Sequence, residues 1–464
     1  MISVALQAKV EIANPGGGEL VVDADDRGVR LTDLEGADTV LMALRDGPLS
    51  ITALTAGASA RRAAGAVRVL LRKRLVELRC VDDQGEAMRA QATSGLARPV
   101  AGAVDPAERY QLSRFVHLRR SADMMILESV RTLFRVTIDR PSVLGLLGAL
   151  AKPGTPHEAA ATAGVAPETA ACWLEFLLAF GVVVPLGGGQ ALDEDLDPDL
   201  VHREFHDVLL HMYSRQGLTD QVTGAAFRYA GVIPPWPATR EPYDGPVIAL
   251  PVVDLDALAA DDPCLIDVME SRKSFREFGE RGLTLRELST FLYRSARIRE
   301  HYSAQEGVVY AYDTTSRPYP SGGGAYDLEI YLFVGDVAGL EAGFYHYDPH
   351  GHGLTLVSGD PALIEGAFTQ ARLSSRSTYT PQVVLTFSSR FARLSWKYQG
   401  ISYATTLKNV GALVNTMYAV ATAMRLAPCA LGNGDDAGGF ANATGLSHLV
   451  ESPVGDFMLG TLPE

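Results

Sequence analysis

Three short segments in the second half of the chain carry residue types whose spacing suits binding chemistry. Arg272, Lys273, Ser274 and Arg276 crowd into the run SRKSFREF. Cationic heads and a hydroxyl at that density suit a terminal phosphate, which guanidinium and ammonium groups hold by charge-assisted hydrogen bonds. The same run also reads as a solvated basic patch. In RPYPSGGGAY, Pro320 and the glycines Gly322, Gly323 and Gly324 make a rigid turn whose backbone can approach a flat ligand, with Ser321 as a donor. The segment lacks the G-K-[ST] of a P-loop and the G-x-G-x-x-G spacing, which excludes the ATP and Rossmann dinucleotide readings. In CALGNGDDAGG, Gly432, Asn433 and Gly434 follow a strand-like run, the position where α/β sheets commonly bind ligands. Each loop taken alone reads equally as a turn. The histidines His202, His206 and His211 tempt a metal reading. HREFH, however, has Glu at its third position and matches neither H-E-x-x-H nor H-x-x-E-H, so no metal is expected.

The elements that must position these loops form a mixed pattern from 262 onward. A helix over 265–270 leads into the basic run, and a second follows over 285–295. Strands are expected over 327–334, 343–347, 382–388, 429–431 and 457–459, with a long helix over 403–425. A mostly apolar helix of that length inside such a unit reads as a central buried helix, of the kind that often lies at a subunit interface.

The chain has 464 residues, enough for about three structural units. Hydrophobic residues at 47% and charged residues at 21% exclude collagen-like, coiled-coil and wholly disordered readings. A formal net charge of −14 disfavours nucleic acid and anionic membranes as partners, because phosphates need a positive surface. Cys80, Cys172, Cys264 and Cys429 lie far apart with no C-x-x-C, which suits a reducing compartment. The N-terminus alternates apolar and polar residues and lacks a signal-peptide pattern, and no apolar run reaches the roughly 20 residues of a membrane span. The expectation is a soluble, cytoplasmic protein.

The N-terminal half reads as two copies of one order. Residues 1–100 give strands at 19–23 and 28–31, helices near 39–45, 50 and 60–73, and a strand at 75–81 with a turn at 82–85. Residues 108–195 repeat the order, with strands at 124–127 and 133–138, then helices at 141–151, 155–163 and 167–180. Thr155 and Glu158 form a capping box. Each copy matches a winged-helix order, with a linker at 91–107 between them and a connector over 196–261 that is too aromatic to be a free linker. The third helix of the first copy carries Arg61, Arg62, Arg68, Arg72, Lys73 and Arg74, which could face phosphates or form a solvated face, whereas its counterpart PETAACWLEFLLAF has no Lys or Arg and cannot read a groove. Such domains can instead bind a peptide as an added strand on an exposed edge.

Taken together, the basic run, the Pro-Ser-Gly-Gly loop and the Asn-Gly loop resemble the nitroreductase-fold flavoproteins. The chain is most similar to the SagB/ThcOx-type dehydrogenases that oxidise azolines in thiazole/oxazole-modified peptides. LSRFVHLRRSADMMILES, FHDVLLHMYSRQG and ESPVGDFMLG are similar to further signatures of that branch, so the resemblance covers about 110 to the end. It implies an α+β fold, with a nitroreductase-like FMN domain at 262–464 preceded by two winged-helix-like peptide-clamp domains. It implies FMN at a homodimer interface, with Arg272, Lys273, Ser274 and Arg276 as phosphate and isoalloxazine contacts. Pro320, Ser321, Gly322 and Gly323 would reach the flavin, typically the partner subunit's, and Asn433 and Gly434 would face it.

Enzymes of this kind use an adjacent Lys-Tyr pair, and SWKYQG offers Lys397 and Tyr398 as its counterparts. Aromatising an azoline removes a carbon-bound proton and a hydride, so a base must sit near the ring. Many nitroreductases add basic residues from a C-terminal tail; Leu462-Pro463-Glu464 has none, and Arg276 or another arginine would replace them. The implied partners are a precursor peptide and a cyclodehydratase, with dioxygen re-oxidising the flavin. Two other readings stand beside this one: an FMN oxidoreductase acting on another peptide or natural-product intermediate, or on nitro compounds or quinones with NAD(P)H, and a non-enzymatic winged-helix binding or regulatory protein.

Overall fold

A computed structural model describes residues 2–463 except 25, 26, 55, 57, 101, 102, 188–191 and 433–438. The chain divides into two compact units, Met1–Gln221 and Val222–Glu464.

In the first unit, alternating apolar residues build β1 (Ile2–Leu6), and an amphipathic run builds α1 (Ala60–Arg72) with Ala63, Val67, Leu70 and Leu71 turned inward. β2 (Val76–Asp82) and β3 (Gly85–Ala92) form a hairpin whose tight turn needs the positive φ of Gly85, 103°. β4 (Val116–Ser121), β5 (Met124–Ser129) and β6 (Phe134–Ile138) precede α2 (Ser142–Ala149), α3 (Pro156–Ala163) and α4 (Pro167–Ala179). The expected capping box opens α3: Glu158 N–H donates to Thr155 Oγ1 at 3.2 Å and Thr155 N–H to Glu158 Oε2 at 2.8 Å.

The two copies expected over 1–100 and 108–195 differ from the structure in how their strands are shared. β3 pairs with β6, Ala90 opposite Val136, so the described residues form one antiparallel sheet in the order Leu49–Ser50, β1, β2, β3, β6, β5, β4. One apolar core runs through both copies, from Val4 and Leu70 to Trp173 and Phe176. The linker expected at 91–107 begins as sheet, because Ala90 and Ala92 continue the inward alternation and Thr93 N–H donates to Leu133 O. The connector also splits. Its first helix, Phe205–Tyr213, packs Met212 with Phe115 and Val130 inside the first unit, and residues from 222 belong to the second.

In the second unit, α5 (Leu265–Ser271) and α6 (Leu285–Ala296) precede β7 (Leu328–Val334), β8 (Gly343–Asp348), β9 (Gly353–Ser358) and α7 (Pro361–Ser375). Then follow β10 (Val383–Arg390), α8 (Phe391–Lys397), α9 (Ser402–Ala423), β11 (Leu426–Leu431) and β12 (Glu451–Thr461). The sheet is antiparallel in the order Val247–Ala249, β9, β8, β7, β10, β12, β11. The final strand is far longer than the expected 457–459, since Pro453, Gly455 and Asp456 hide its start; a register shift at Phe387/Ser388 accommodates them. One face of the sheet buries Ile330, Leu332 and Leu385 with Leu413 and Met417 of α9 and Phe291 of α6. The other buries Tyr331, Phe333 and Val384 with Ile364 and Phe368 of α7. No helix among the described residues is long and apolar enough to cross a membrane.

α6, which supports α9, is closed at its start by a second capping box. Glu287 N–H donates to Thr284 Oγ1 at 3.2 Å, and Arg281 holds the Glu287 carboxylate at 2.9 Å. Arg281 outweighs partial burial and takes Glu287 from 4.5 down to about 2. A depressed folded-state pKa contributes stability above the unfolded carboxylate range, and that contribution is lost as pH falls toward 2. Thr284→Ala should cost about 1 kcal/mol in urea unfolding at neutral pH. Glu287→Gln should flatten the acid limb of stability between pH 4.5 and 2.

Candidate active site

The short helix α8 carries Lys397 at its end and delivers Tyr398 into a two-residue strand, so the Trp-Lys-Tyr triplet straddles a helix boundary rather than lying along a strand edge. Three contacts hold α8. Arg393, fully buried, donates Nε and Nη2 to Ala325 O at 3.0 and 2.8 Å, and Nη2 to Asp313 O at 2.8 Å. Burial, with Arg390 nearby, pushes Arg393 down to about 10, which leaves it cationic at neutral pH among carbonyl dipoles. The connector supplies the second contact: Gly224 and Ala225 pair with Gln399 and Tyr398, and Phe227 N–H donates to Lys397 O at 3.0 Å. Trp396 Nε1 supplies the third by donating to Ile233 O at 2.6 Å. From 222 on, the connector thus clamps the Lys-Tyr helix through its main chain, with the Phe227 ring packed edge-on against Trp396.

This clamp sets the pair against the glycine loop. A Cβ at Gly323 would lie 2.5 Å from both Lys397 Nζ and Tyr398 OH, and Gly323 has φ of +64°. Lys397 Nζ donates to Tyr312 OH at 2.7 Å, and Tyr312 OH donates to Gly323 O at 2.6 Å. Burial raises the Tyr312 phenol above its ordinary value of 10. Ser321 Oγ accepts from Tyr326 N–H at 3.1 Å, and Pro320 is exposed. Gly322 lies on α9: a Cβ there would meet Thr405 at 2.4 Å, and its N–H donates to Asn409 Oδ1 at 3.0 Å. Asn409 Nδ2 in turn donates to Asp327 Oδ1 at 2.6 Å, while Ser389 and Thr406 occupy Oδ2 at 2.7 and 2.8 Å.

The basic run lies farther along α9. Ser274 Oγ is 2.7 Å from Tyr418 OH, and Arg272 stacks over the Tyr418 ring at 5.3 Å. Phe275 N–H donates to Pro428 O at 2.9 Å, which docks the run beside β11. Arg272, Lys273 and Arg276 are exposed and make no ion pair among the described residues. Unspent cations beside a hydroxyl at a strand end are the donor set that a phosphate requires, so FMN fits this end of the site. Tyr418 is nine residues beyond Asn409, about 14 Å along the helix at 1.5 Å per residue. The structure therefore brings Lys397, Tyr398, Gly322 and Gly323 together and sets Arg272 and Ser274 at the far end of the same helix. Asn433 and Gly434 lie outside the described residues.

Sequence reasoning missed Tyr312, Asn409 and Asp327. Tyr312 carries no motif; Asn409, a polar residue on the inward face of a mostly apolar helix, was the available signal.

Two segments of the chain match known families. Residues 110–220 match the cyanobactin oxidase ThcOx family, and residues 269–461 match the nitroreductase family. The chain is a nitroreductase-like protein of the SagB/ThcOx type. It is an oxidoreductase by family, and nitroreductases generally bind flavin. It is 29% identical over 168 residues to a candidate nitroreductase of Methanocaldococcus jannaschii, covering 36% of this chain and 78% of that one. A candidate nitroreductase from Anabaena variabilis aligns over 90% of this chain and 92% of its own, at 15% identity and a TM-score of 0.36. The E. coli microcin synthetase McbBCD complex, with truncated pro-MccB17 bound, aligns over 44% of this chain and 75% of that one, at 20% identity and a TM-score of 0.34.

Two substitutions test the geometry. Gly323→Ala forces a Cβ into the Lys397–Tyr398 contact at a positive φ and should cost more than about 1 kcal/mol in denaturant unfolding. Asn409→Ala strips a donor from the buried Asp327 carboxylate and should cost about 1–3 kcal/mol. A change within error for both would show that the loop is not held by these contacts.

Proposed function

We propose that the protein is an FMN-dependent dehydrogenase that oxidises azoline rings to azoles in a ribosomally made peptide. The observation that carries this reading is the meeting of Lys397 and Tyr398 with the backbone of Gly323, beside Tyr312. Arg272, Lys273, Ser274 and Arg276 would hold the FMN phosphate, and Pro320 to Gly323 would lie along its ring, by family precedent the ring bound to a partner subunit. The bound flavin supplies a hydride acceptor, which dioxygen restores.

The chain's own residues supply the rest. A thiazoline or oxazoline loses a ring-carbon proton and a hydride, and Lys397 Nζ or Tyr398 OH takes the proton. Tyr312, bonded to both Lys397 Nζ and Gly323 O, keeps the amine at the loop. The Gly323 main chain lets a flat ring approach where any side chain would intrude. The ThcOx match over 110–220 supports a peptide substrate, which the first unit would hold at a strand edge. A cyclodehydratase would install the ring first, and a homodimer would complete the flavin site.

The test begins with the visible spectrum, where bound flavin should be present in the purified protein. Lys397→Ala and Tyr398→Phe should then keep flavin while losing azoline-peptide turnover by at least about 100-fold, the scale of general-base removal. A colourless protein that takes up no FMN, or full turnover in both variants, would contradict the reading.

A further inference from the structure

The sheet face turned away from α9 concentrates buried charge that the proposed reaction does not use. Glu329 on β7, His346 on β8 and Thr355 on β9 share this face: His346 pairs across to both Tyr331 and Thr355, and Glu329 is two residues from Tyr331. Glu329 accepts from His346 Nε2 at 2.9 Å and from Arg390 Nη1 at 3.3 Å. Arg240 Nη1 meets Glu451 Oε2 at 2.8 Å. Burial alone would raise the Glu329 carboxyl, but His346, Arg390 and Arg317 override it and hold it down to about 2, so it is ionised.

Glu329 and Glu451 thus ion-pair with Arg390 and Arg240, and a third guanidinium, Arg317, lies near Glu329 without an ion pair of its own among the described residues. Arg317 is only 5% exposed. Its guanidinium makes a single hydrogen bond among the described residues, from Nε to Thr315 Oγ1 at 3.4 Å, and its other nitrogens have no protein acceptor. It stacks over Tyr326 at 5.1 Å. Arg317 lines a cavity of about 270 Å³ together with Arg240, Glu329, His346, Asp348 and Thr355. The Thr355 hydroxyl, on a 4% exposed residue, also has no partner among the described residues. The Asp348 oxygens accept from the N–H groups of His350 and Gly351 at 2.8 and 3.0 Å, and Asp348 makes no ion pair with Arg317.

A buried guanidinium whose paired nitrogens face a cavity with no acceptor has lost the hydrogen bonds of hydration, and a planar acceptor would restore them. We infer that this cavity binds a small monocarboxylate, gripped by the free fork of Arg317 with the Thr355 hydroxyl as a second donor. A carboxylate matches the planar guanidinium two atoms to two. A dianionic phosphate fits less well, because Glu329 and Asp348 line the same space and repel the second charge. Its sheet residues lie on the face opposite α9, and none of its lining residues is one assigned to the flavin or to the Lys-Tyr pair, so the inference does not rest on the flavin reading.

The probe is trifluoroacetate, followed by fluorine NMR on the purified full chain, with acetate as competitor. The wild-type protein should broaden and shift the signal, and acetate should reverse this. Arg317→Gln should weaken binding about tenfold or more, about 1.4 kcal/mol, and Thr355→Val should weaken it less. Lys152→Gln, an exposed cation in the first unit, should leave it unchanged. Should Arg317→Gln fail to fold, Thr355→Val decides. No binding by the wild type, or binding undiminished in the deciding variant, overturns the inference.

Discussion

The arrangement of the candidate site depends on one buried side-chain amide. Asn409 sits on α9 with its nitrogen against Asp327 and its oxygen on the Gly322 N–H. Asp327 is fully buried, and Ser389 and Thr406 spend its second oxygen. The amide is therefore oriented by a carboxylate that has no freedom of its own, and it passes that orientation to the glycine loop. A buried polar network of this kind is costly unless every member is satisfied, and here each member is. Position along α9 then sets the rest: Thr405 packs under Gly322, and further along Tyr418 receives Ser274 and Arg272.

A second constraint brings the titratable pair to that loop. Arg393 makes no ion pair among the described residues and is satisfied by main-chain carbonyls from segments near 236, 313 and 325. A guanidinium donates in a planar fan, so three segments distant in sequence converge on one helix turn, four residues before Lys397. The loop is held from α9 and the Lys-Tyr pair from Arg393, and Tyr312 bonds the two parts to each other. This is how a site can be placed to within a hydrogen bond by residues that do no chemistry themselves.

Much of this was legible in the sequence where periodicity or a motif was strong. The long helix over 403–425 was expected nearly as it stands, because apolar residues recur at helical spacing over most of its length, and the Thr155–Glu158 capping box was readable from two residues. The basic run and the Pro-Ser-Gly-Gly loop were visible as unusual local composition. Other features depend on contacts distant in sequence. The pairing of Ala90 with Val136 makes one sheet from two apparently repeated units, and nothing local announces it. The strand at 451–461 hides behind Pro453 and Gly455, which usually mark turns. Tyr312 is one tyrosine among 17 and acquires a role only when α8 is brought alongside it.

The central claim is that electrons pass from a peptide-borne azoline to a flavin held by this chain. An anaerobic single turnover tests it directly: the FMN-loaded protein is mixed with an azoline peptide, the flavin absorbance is followed, and the peptide is weighed by mass spectrometry. The account predicts that the flavin bleaches without any nicotinamide while each converted ring loses two hydrogens. Flavin that bleaches with NADPH but stays oxidised with the peptide, whose mass is unchanged, would contradict it.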